Sequence, residues 1–303
     1  MRVFVTGGSG WIGSAVVPRL IGAGHEVVGL ARSDAAAARL EAAGARVLRG
    51  DIDDLDVLRA GAADSDGVIQ LAFRHDIAFQ PDGFARAAES EGRSIQVIGD
   101  VLAGTDRPFV FASGTPAVPG RPSTESDESN LTGPATLRGS NAVAGLAFAE
   151  RGVRSSVVRL PRSVHGEGDR GFIARLIAMA REKGVSGYVG DGSNRWPAVH
   201  VLDAADLFCL AFEKAAPGMV LHAVGDEGVA TREIAEVIGR RLNVPTASMT
   251  PDQLGFLGMV MAHDQPASSA QTQTALGWRP ARPGLIADME AGHYFALAHA
   301  AHP

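Results

Sequence analysis

The chain opens on a short β-forming run over residues 2–6, centred on Val3-Phe4-Val5, and glycines follow at once. An amphipathic pattern at helical spacing then covers about 11–23, before a second β-forming run, Glu-Val-Val-Gly-Leu-Ala, at 26–31. The alternation continues with a helix at about 33–43, a strand at 45–49, a short helix near 54–60 and a strand at 67–72. A long helix at about 81–103, a strand at 108–112, a helix at about 138–150 and a strand at 153–160 complete it. The strands read as apolar runs, which suits burial between two layers of helices. Repeated strand–helix–strand units of this kind predict a parallel sheet covered on both faces.

After Pro161 the pattern changes. Helices at about 171–183, 203–214, 231–242 and 283–297 are separated by glycine- and proline-rich stretches and a few short strand candidates. Residues 115–135 and 186–200 read as long loops, and long loops in compact domains tend to carry function. The expected organisation is a first domain over 1–160 and a smaller C-terminal α/β portion over 161–303 that closes over the carboxyl ends of the strands.

Composition narrows the function classes. With 303 residues and 46% hydrophobic content the chain can build a proper core. A formal net charge of −6 argues against a nucleic-acid-binding or polybasic membrane surface. No apolar run approaches the roughly 18 residues that span a bilayer, and no basic segment followed by a cleavable apolar core marks export. A cytoplasmic location is the expectation. The single cysteine, Cys209, lies in an apolar helical pattern and reads as core packing.

The glycine stretch Thr6-Gly7-Gly8-Ser9-Gly10-Trp11-Ile12-Gly13 joins the first strand to the first helix. Such a turn aims backbone N–H groups and the positive end of a helix dipole at one spot, which suits a pyrophosphate. Gly7 permits the turn, Gly10 lets the backbone approach phosphates, and Gly13 lets helix and strand pack closely. A Rossmann-type, doubly wound α/β sheet that binds a dinucleotide follows. The second strand ends Leu30-Ala31-Arg32-Ser33, with Arg32 where an NAD-preferring site carries an acid. A guanidinium there suits a 2′-phosphate, and Ser33 adds a donor, so NADP(H) is the expected cofactor.

These residues resemble the extended short-chain dehydrogenase/reductase family and, more loosely, its sugar-epimerase and dehydratase relatives. The resemblance also rests on Gly50-Asp51-Ile52, Arg159-Leu160-Pro161 through Val164-His165-Gly166, Val199-His200-Val201-Leu202-Asp203-Ala204-Ala205 and Leu276-Gly277-Trp278-Arg279-Pro280. It implies that Asp51 and Ile52 border the adenine, although Asp51 also suits a helix cap. Leu71, Ala72 and Phe73 would lie under the pyrophosphate and ribose, and Pro161, Ser163 and Val164 would line the nicotinamide. Phe73 and His75 would face the substrate, or else be strand-end packing and a surface histidine.

The chain departs from the family at its catalytic pair, Tyr-x-x-x-Lys, in which the lysine lowers the phenol's pKa. Its only tyrosines are Tyr188 and Tyr294 and its only lysines Lys183 and Lys214, and no two have that spacing. Alignment puts Leu137 at the tyrosine position and Asn141 at the lysine position, where Asn141 could still bond a ribose hydroxyl. Thr115 matches the family hydroxyl that bonds the reacting oxygen, with Ser113 the alternative; either may instead satisfy a loop backbone. His165, where relatives carry a tyrosine, is a candidate proton donor. Arg138, Arg195, Trp196 and His200 are candidate substrate contacts; for Arg138 a surface charge, and for the others a buried docking loop, are the competing readings. No histidine pair shows metal-ligand spacing, so no metal is expected. The resemblance also implies a homodimer through the helices at about 81–103 and 138–150. Two function classes follow: an NADP(H)-dependent oxidoreductase acting on an activated carbonyl, imine or conjugated alkene, or a non-catalytic NADP(H) sensor.

Overall fold

Val3 and Val5 pack into one apolar cluster and Phe4 into another, so the first strand is sealed on both faces. In this computed structural model, which describes residues 1–78, 80, 82–128 and 135–296, that strand is β1 (Arg2–Thr6). It is followed by α1 (Gly13–Gly22), β2 (Glu26–Ala31), α2 (Asp34–Ala42), β3 (Arg46–Arg49), α3 (Leu55–Ala63) and β4 (Gly67–Gln70). Then come α4 (His75–Ala78), α5 (Gly83–Leu102), β5 (Pro108–Gly114), α6 (Ala135–Ala147) and β6 (Arg154–Leu160). Part of the loop expected over 115–135, residues 129–134, lies outside the described residues, as does residue 297 of the last expected helix.

The later chain holds β7 (Ser163–His165), α7 (Phe172–Lys183), β8 (Ser186–Val189), β9 (Arg195–His200), α8 (Val201–Lys214) and β10 (Met219–His222). It continues through β11 (Asp226–Ala230), α9 (Thr231–Leu242), β12 (Thr246–Met249), α10 (Pro251–Met261), α11 (Ala270–Leu276) and α12 (Leu285–Glu290). Seven strands form one sheet in the order β3-β2-β1-β4-β5-β6-β10, and every pairing in it is parallel. This is the Rossmann-type α/β sheet expected from the sequence. The order reverses between β1 and β4, which opens a crevice at their carboxyl ends.

A division at residue 160 does not separate the two units. Helix α8 returns to the large sheet, where Ala204, Leu207, Phe208, Ala211 and Phe212 join the cluster formed by α1 and β1, and β10 extends the sheet beside β6. The periodicity of 203–214 shows an apolar helix face but not which sheet that face covers. The second unit is built from the sheet β11-β9-β7 and the parallel pair β8-β12, around Ile173, Ile177, Trp196, Ile234, Ile238 and Met261.

The stretch 186–200 expected as a loop is therefore largely two strands. Pro197 sits in the middle strand of its sheet, a position proline normally leaves. A bulge accommodates it: Ala198 pairs with Asp226 and Trp196 with Val229, so two residues of β11 face Pro197.

Candidate cofactor and active site

The crevice is held open by a chain of buried hydrogen bonds. Thr6 Oγ1 donates to Gln70 Oε1 at 2.5 Å and accepts from the Ala72 N–H at 3.3 Å. Gln70 Nε2 in turn donates to Ser94 Oγ on α5 at 2.8 Å. Gly7, at φ +70°, rests on the end of β4: a β-carbon there would lie 2.7 Å from Ala72 N and 2.8 Å from the Leu71 carbonyl carbon. At Gly13 it would meet the Gly7 carbonyl oxygen at 2.2 Å. Gly10 is exposed and its β-carbon would approach only Gly7 O, at 3.2 Å. Helix α1 begins with no side-chain cap and no acid in its first turn, so nothing on the chain offsets its N-terminal dipole. Ser9 and Ile12 complete the turn half-buried, and Trp11 Nε1 donates to the Val164 carbonyl at 2.9 Å, tying the turn to β7.

Beside this turn an open cleft of about 470 Å³ is lined by Ala31, Arg32, Arg49, Gly50, Asp51 and Asp54. It lies at the carboxyl ends of β2 and β3. Arg32 is half exposed and donates through Nη1 to Asp76 Oδ2 at 3.0 Å. Asp76 is held at about 2, well below an ordinary carboxylate, by the hydrogen-bonded Arg74 guanidinium and then by Arg32. It thus stays ionised and orients Arg32. Ser33 caps α2 by accepting from the Ala36 N–H at 3.2 Å, which leaves its hydroxyl proton available. The cap position of α3 belongs to Asp54, not Asp51; Asp51 accepts from the Asp53 N–H and lines the cleft, with Ile52 buried behind it.

Helix α6 is tied to α5 by an ion pair. Glu91 of α5 is buried and accepts from Arg138 at 2.9–3.2 Å through both carboxylate oxygens. Asn141 Nδ2 donates to Glu91 Oε2 at 3.1 Å and to the Ala88 carbonyl at 2.7 Å. The expectation that Asn141 serves a ribose is therefore replaced by an interhelical clasp. Arg138 is no surface charge and no unpaired anion binder: its charge is matched by Glu91 and its guanidinium lies 4.2 Å over the Phe73 ring. His75 packs edge-on to the other side of that cluster, 5.0 Å from Phe73. Partial desolvation, then the charges of Arg138 and Arg175, hold His75 below its ordinary pKa.

At the carboxyl end of β5, Ser113 is buried, and Thr115 is 2% exposed with a hydroxyl that has no partner among the described residues. The Thr115 N–H donates to the Leu160 carbonyl at 3.0 Å, and its own carbonyl accepts from Gln265 Nε2 at 2.6 Å. Pro161 and Ser163 are buried on either side of Arg162, whose Nη2 donates to Gln265 Oε1.

Sequence expectations for four residues are corrected. His165 is completely enclosed, with Nδ1 on Asp288 Oδ2 at 2.8 Å and its ring edge-on to His200, so it reaches neither solvent nor a substrate in this arrangement. Trp196 is likewise fully buried in the second core and forms no substrate wall. Arg195 is paired with Asp264 through Nε at 3.1 Å and Nη2 at 2.8 Å, and His200 caps α8 by accepting from the Leu202 N–H. All four lie in strands stitched across the second unit. Conversely, Glu91, Arg74, Asp76, Arg162 and Gln265 belong to the site without forming any motif. Glu91 alone carries a signal: it stands on the apolar face of α5, among Ala87, Ala88, Ser94, Ile95 and Ile98, where a charge demands a partner.

The two glycines of the turn should fail differently. Gly7→Ala should destabilise the fold by roughly 1–3 kcal/mol, from strain and the backbone clash with β4. Gly10→Val should leave the melting temperature nearly unchanged yet abolish dinucleotide binding. Thermal melts with cofactor titrations check both, and Gly10→Val binding with unchanged affinity would show that the phosphates lie elsewhere.

Comparison with known proteins agrees with this geometry. Residues 3–223 match the NAD dependent epimerase/dehydratase family. The chain is 44% identical over 299 residues to an uncharacterized protein of Schizosaccharomyces pombe, covering 97% of this chain and 100% of that one. It is 30% identical over 235 residues to a 4-hydroxy-2-methyl-3-oxo-4-farnesyl-3,4-dihydroquinoline-1-oxide ketoreductase of Stigmatella aurantiaca, covering 73% of this chain and 67% of that one. DesIV, a dTDP-glucose 4,6-dehydratase of Streptomyces venezuelae solved with NAD and TYD bound, has a similar fold, with a TM-score of 0.79 at 20% identity over 97% of this chain and 98% of its own. With this match over residues 3–223, and with its reversed strand order and glycine turn, the chain belongs to the NAD-dependent epimerase/dehydratase family.

Proposed function

We propose that the protein is an NADP(H)-dependent reductase of small, already activated carbonyls or imines, working without the family's phenol. The observation that carries this reading is the Thr115 hydroxyl, buried at the carboxyl end of β5 with no partner among the described residues. An unpaired buried hydroxyl costs about 1–3 kcal/mol, which a substrate oxygen or nitrogen would offset. The ketoreductase name of one relative supports the direction of reaction.

The turn at Gly7–Gly13 and the start of α1 hold the pyrophosphate, Asp51 borders the adenine, and Leu71 to Phe73 support the ribose side. Arg32 and Ser33 read the 2′-phosphate. DesIV holds NAD, so the choice of NADP(H) rests on Arg32 at the end of β2 and on Asp76, which orients it. When bound, the reduced nicotinamide supplies a hydride. Pro161, Ser163 and Val164 exclude water from that face, and Thr115 polarises the reacting oxygen, whose proton comes from water. Reduction needs no base to abstract a hydroxyl proton, which is why loss of the tyrosine and lysine is compatible with turnover in this direction.

The Glu91–Arg138–Asn141 clasp on the catalytic helix favours the second reading, a non-catalytic NADP(H) sensor, and absence of turnover on any activated carbonyl would select it. The exposed outer face of α6, with Leu137 38% and Val143 66% exposed beside a shallow cleft of about 350 Å³, supports pairing of two copies there.

Arg32→Ala should weaken NADPH binding by roughly 1–3 kcal/mol, the worth of hydrogen bonds between charged partners, and barely affect NADH. Calorimetric titration of both cofactors decides it, and equal losses would contradict the 2′-phosphate role. Thr115→Val should slow kcat by about ten- to a thousandfold at unchanged NADPH affinity, and Thr115→Ser should recover part of the loss. An undiminished kcat in Thr115→Val would remove Thr115 from the reaction.

A further inference from the structure

Several arginines around the site are neutralised by carboxylates. Arg32 and Arg74 share Asp76, Arg138 has Glu91, and Arg195 has Asp264. Arg159, buried on β6, has the charges of Asp127 and Glu125 near it. Arg162 pairs with no acid. Its Nη2 donates to the Gln265 side-chain carbonyl, and its buried Nε has no partner among the described residues. Burial alone lowers it to about 10, so the guanidinium is charged at neutral pH.

An uncompensated cation in a desolvated place is costly, and the usual resolution is a partner of opposite charge. Arg162 lies one residue beyond Pro161 at the carboxyl edge of the sheet, the edge on which ligands of this fold sit. Gln265 fixes it beside Thr115. The amide donates to the Thr115 carbonyl at 2.6 Å and accepts from Arg162, so one amide group separates the two. Gln265 is itself pinned, because its backbone N–H donates to the Arg195 carbonyl at 3.0 Å. The arrangement holds a fork of N–H donors one amide group away from the Thr115 backbone carbonyl.

We infer that Arg162 anchors an oxyanion subsite, and that the substrate carries a carboxylate or phosphate group close to its reducible carbon. This rests on the reductase reading above and narrows its substrate class to oxo acids and their phosphate counterparts. The reaction balances without a further reagent: the oxo carbon gains the hydride, its oxygen gains a proton from water, and the anionic group is unchanged. Arg138 and Arg195 are excluded from the role by their own carboxylates.

The test uses the full chain, NADPH, and the pair 3-oxobutanoate and its methyl ester, which differ in the charge. Wild type should favour the acid in kcat/KM by at least about tenfold, the worth of one charge-assisted hydrogen bond. Arg162→Met should lower kcat/KM for the acid by about tenfold or more, leave the ester within about threefold and keep NADPH affinity unchanged. Arg162→Lys, which keeps the charge without the fork, should retain part of the preference. Because Arg162→Met removes an unpaired buried charge, its melting temperature should not fall. Competition by inorganic phosphate against 3-oxobutanoate in wild type, lost in Arg162→Met, would identify phosphate as an accepted group; its absence would identify a carboxylate site. Equal losses for acid and ester, a loss of NADPH affinity, or a wild type indifferent to the charge would overturn the subsite. If neither compound is reduced, calorimetric binding of 3-oxobutanoate to the NADP-loaded protein still decides. Binding by wild type and not by Arg162→Met upholds the subsite while the reductase reading fails, and equal binding or none overturns it.

Discussion

The site depends on the close approach of the β1 turn to the end of β4. Gly7 sits within van der Waals range of the Leu71–Ala72 backbone, closer than any side chain permits, and Thr6, Gln70 and Ser94 lock strand, strand and helix together behind it. With that contact made, the uncapped start of α1 and the cleft beyond β2 and β3 are offered to the two halves of a dinucleotide. The Trp11 to Val164 hydrogen bond extends the same constraint to β7, so the second unit is referenced to the phosphate turn. Function in the first half of the chain is thus a matter of backbone approach, and in the second half a matter of which charges remain unpaired.

Much of the first half was legible in the sequence because its signals are local. Apolar runs of strand length, helical periodicity and the spacing of Gly7, Gly10 and Gly13 each concern neighbouring residues, and they place the sheet and the phosphate turn. The second half depended on partners distant in the chain. Trp196 and Arg195 look like substrate contacts until β11 and Asp264 are seen to cover them. His165 looks like a free histidine until Asp288 arrives from α12. The return of α8 and β10 to the large sheet is equally long-range, and a linear break at residue 160 cannot express it.

The catalytic helix shows how a fold can keep its geometry after losing a reactive pair. The helix is held against α5 by Glu91, which takes both Arg138 and Asn141. Such a buried ion pair contributes little net stability, yet breaking it would leave a charge stranded, so it fixes one packing of α5 on α6. The same clasp presses Arg138 over Phe73 and gives the substrate side a flat, charge-compensated wall. In the proposed reduction, proton transfer is left to water and to the polarising hydroxyl of Thr115.

That absence of a titrating acid is the central claim, and the pH dependence of kcat tests it most directly. No tyrosine–lysine pair exists, His165 is enclosed, and His75 is held below its ordinary value. Saturating NADPH-dependent reduction of an activated ketone should therefore proceed at a nearly constant kcat from about pH 7 to about pH 9. A limb within that span, with an apparent pKa of a group that gives a proton to the substrate, would contradict the account.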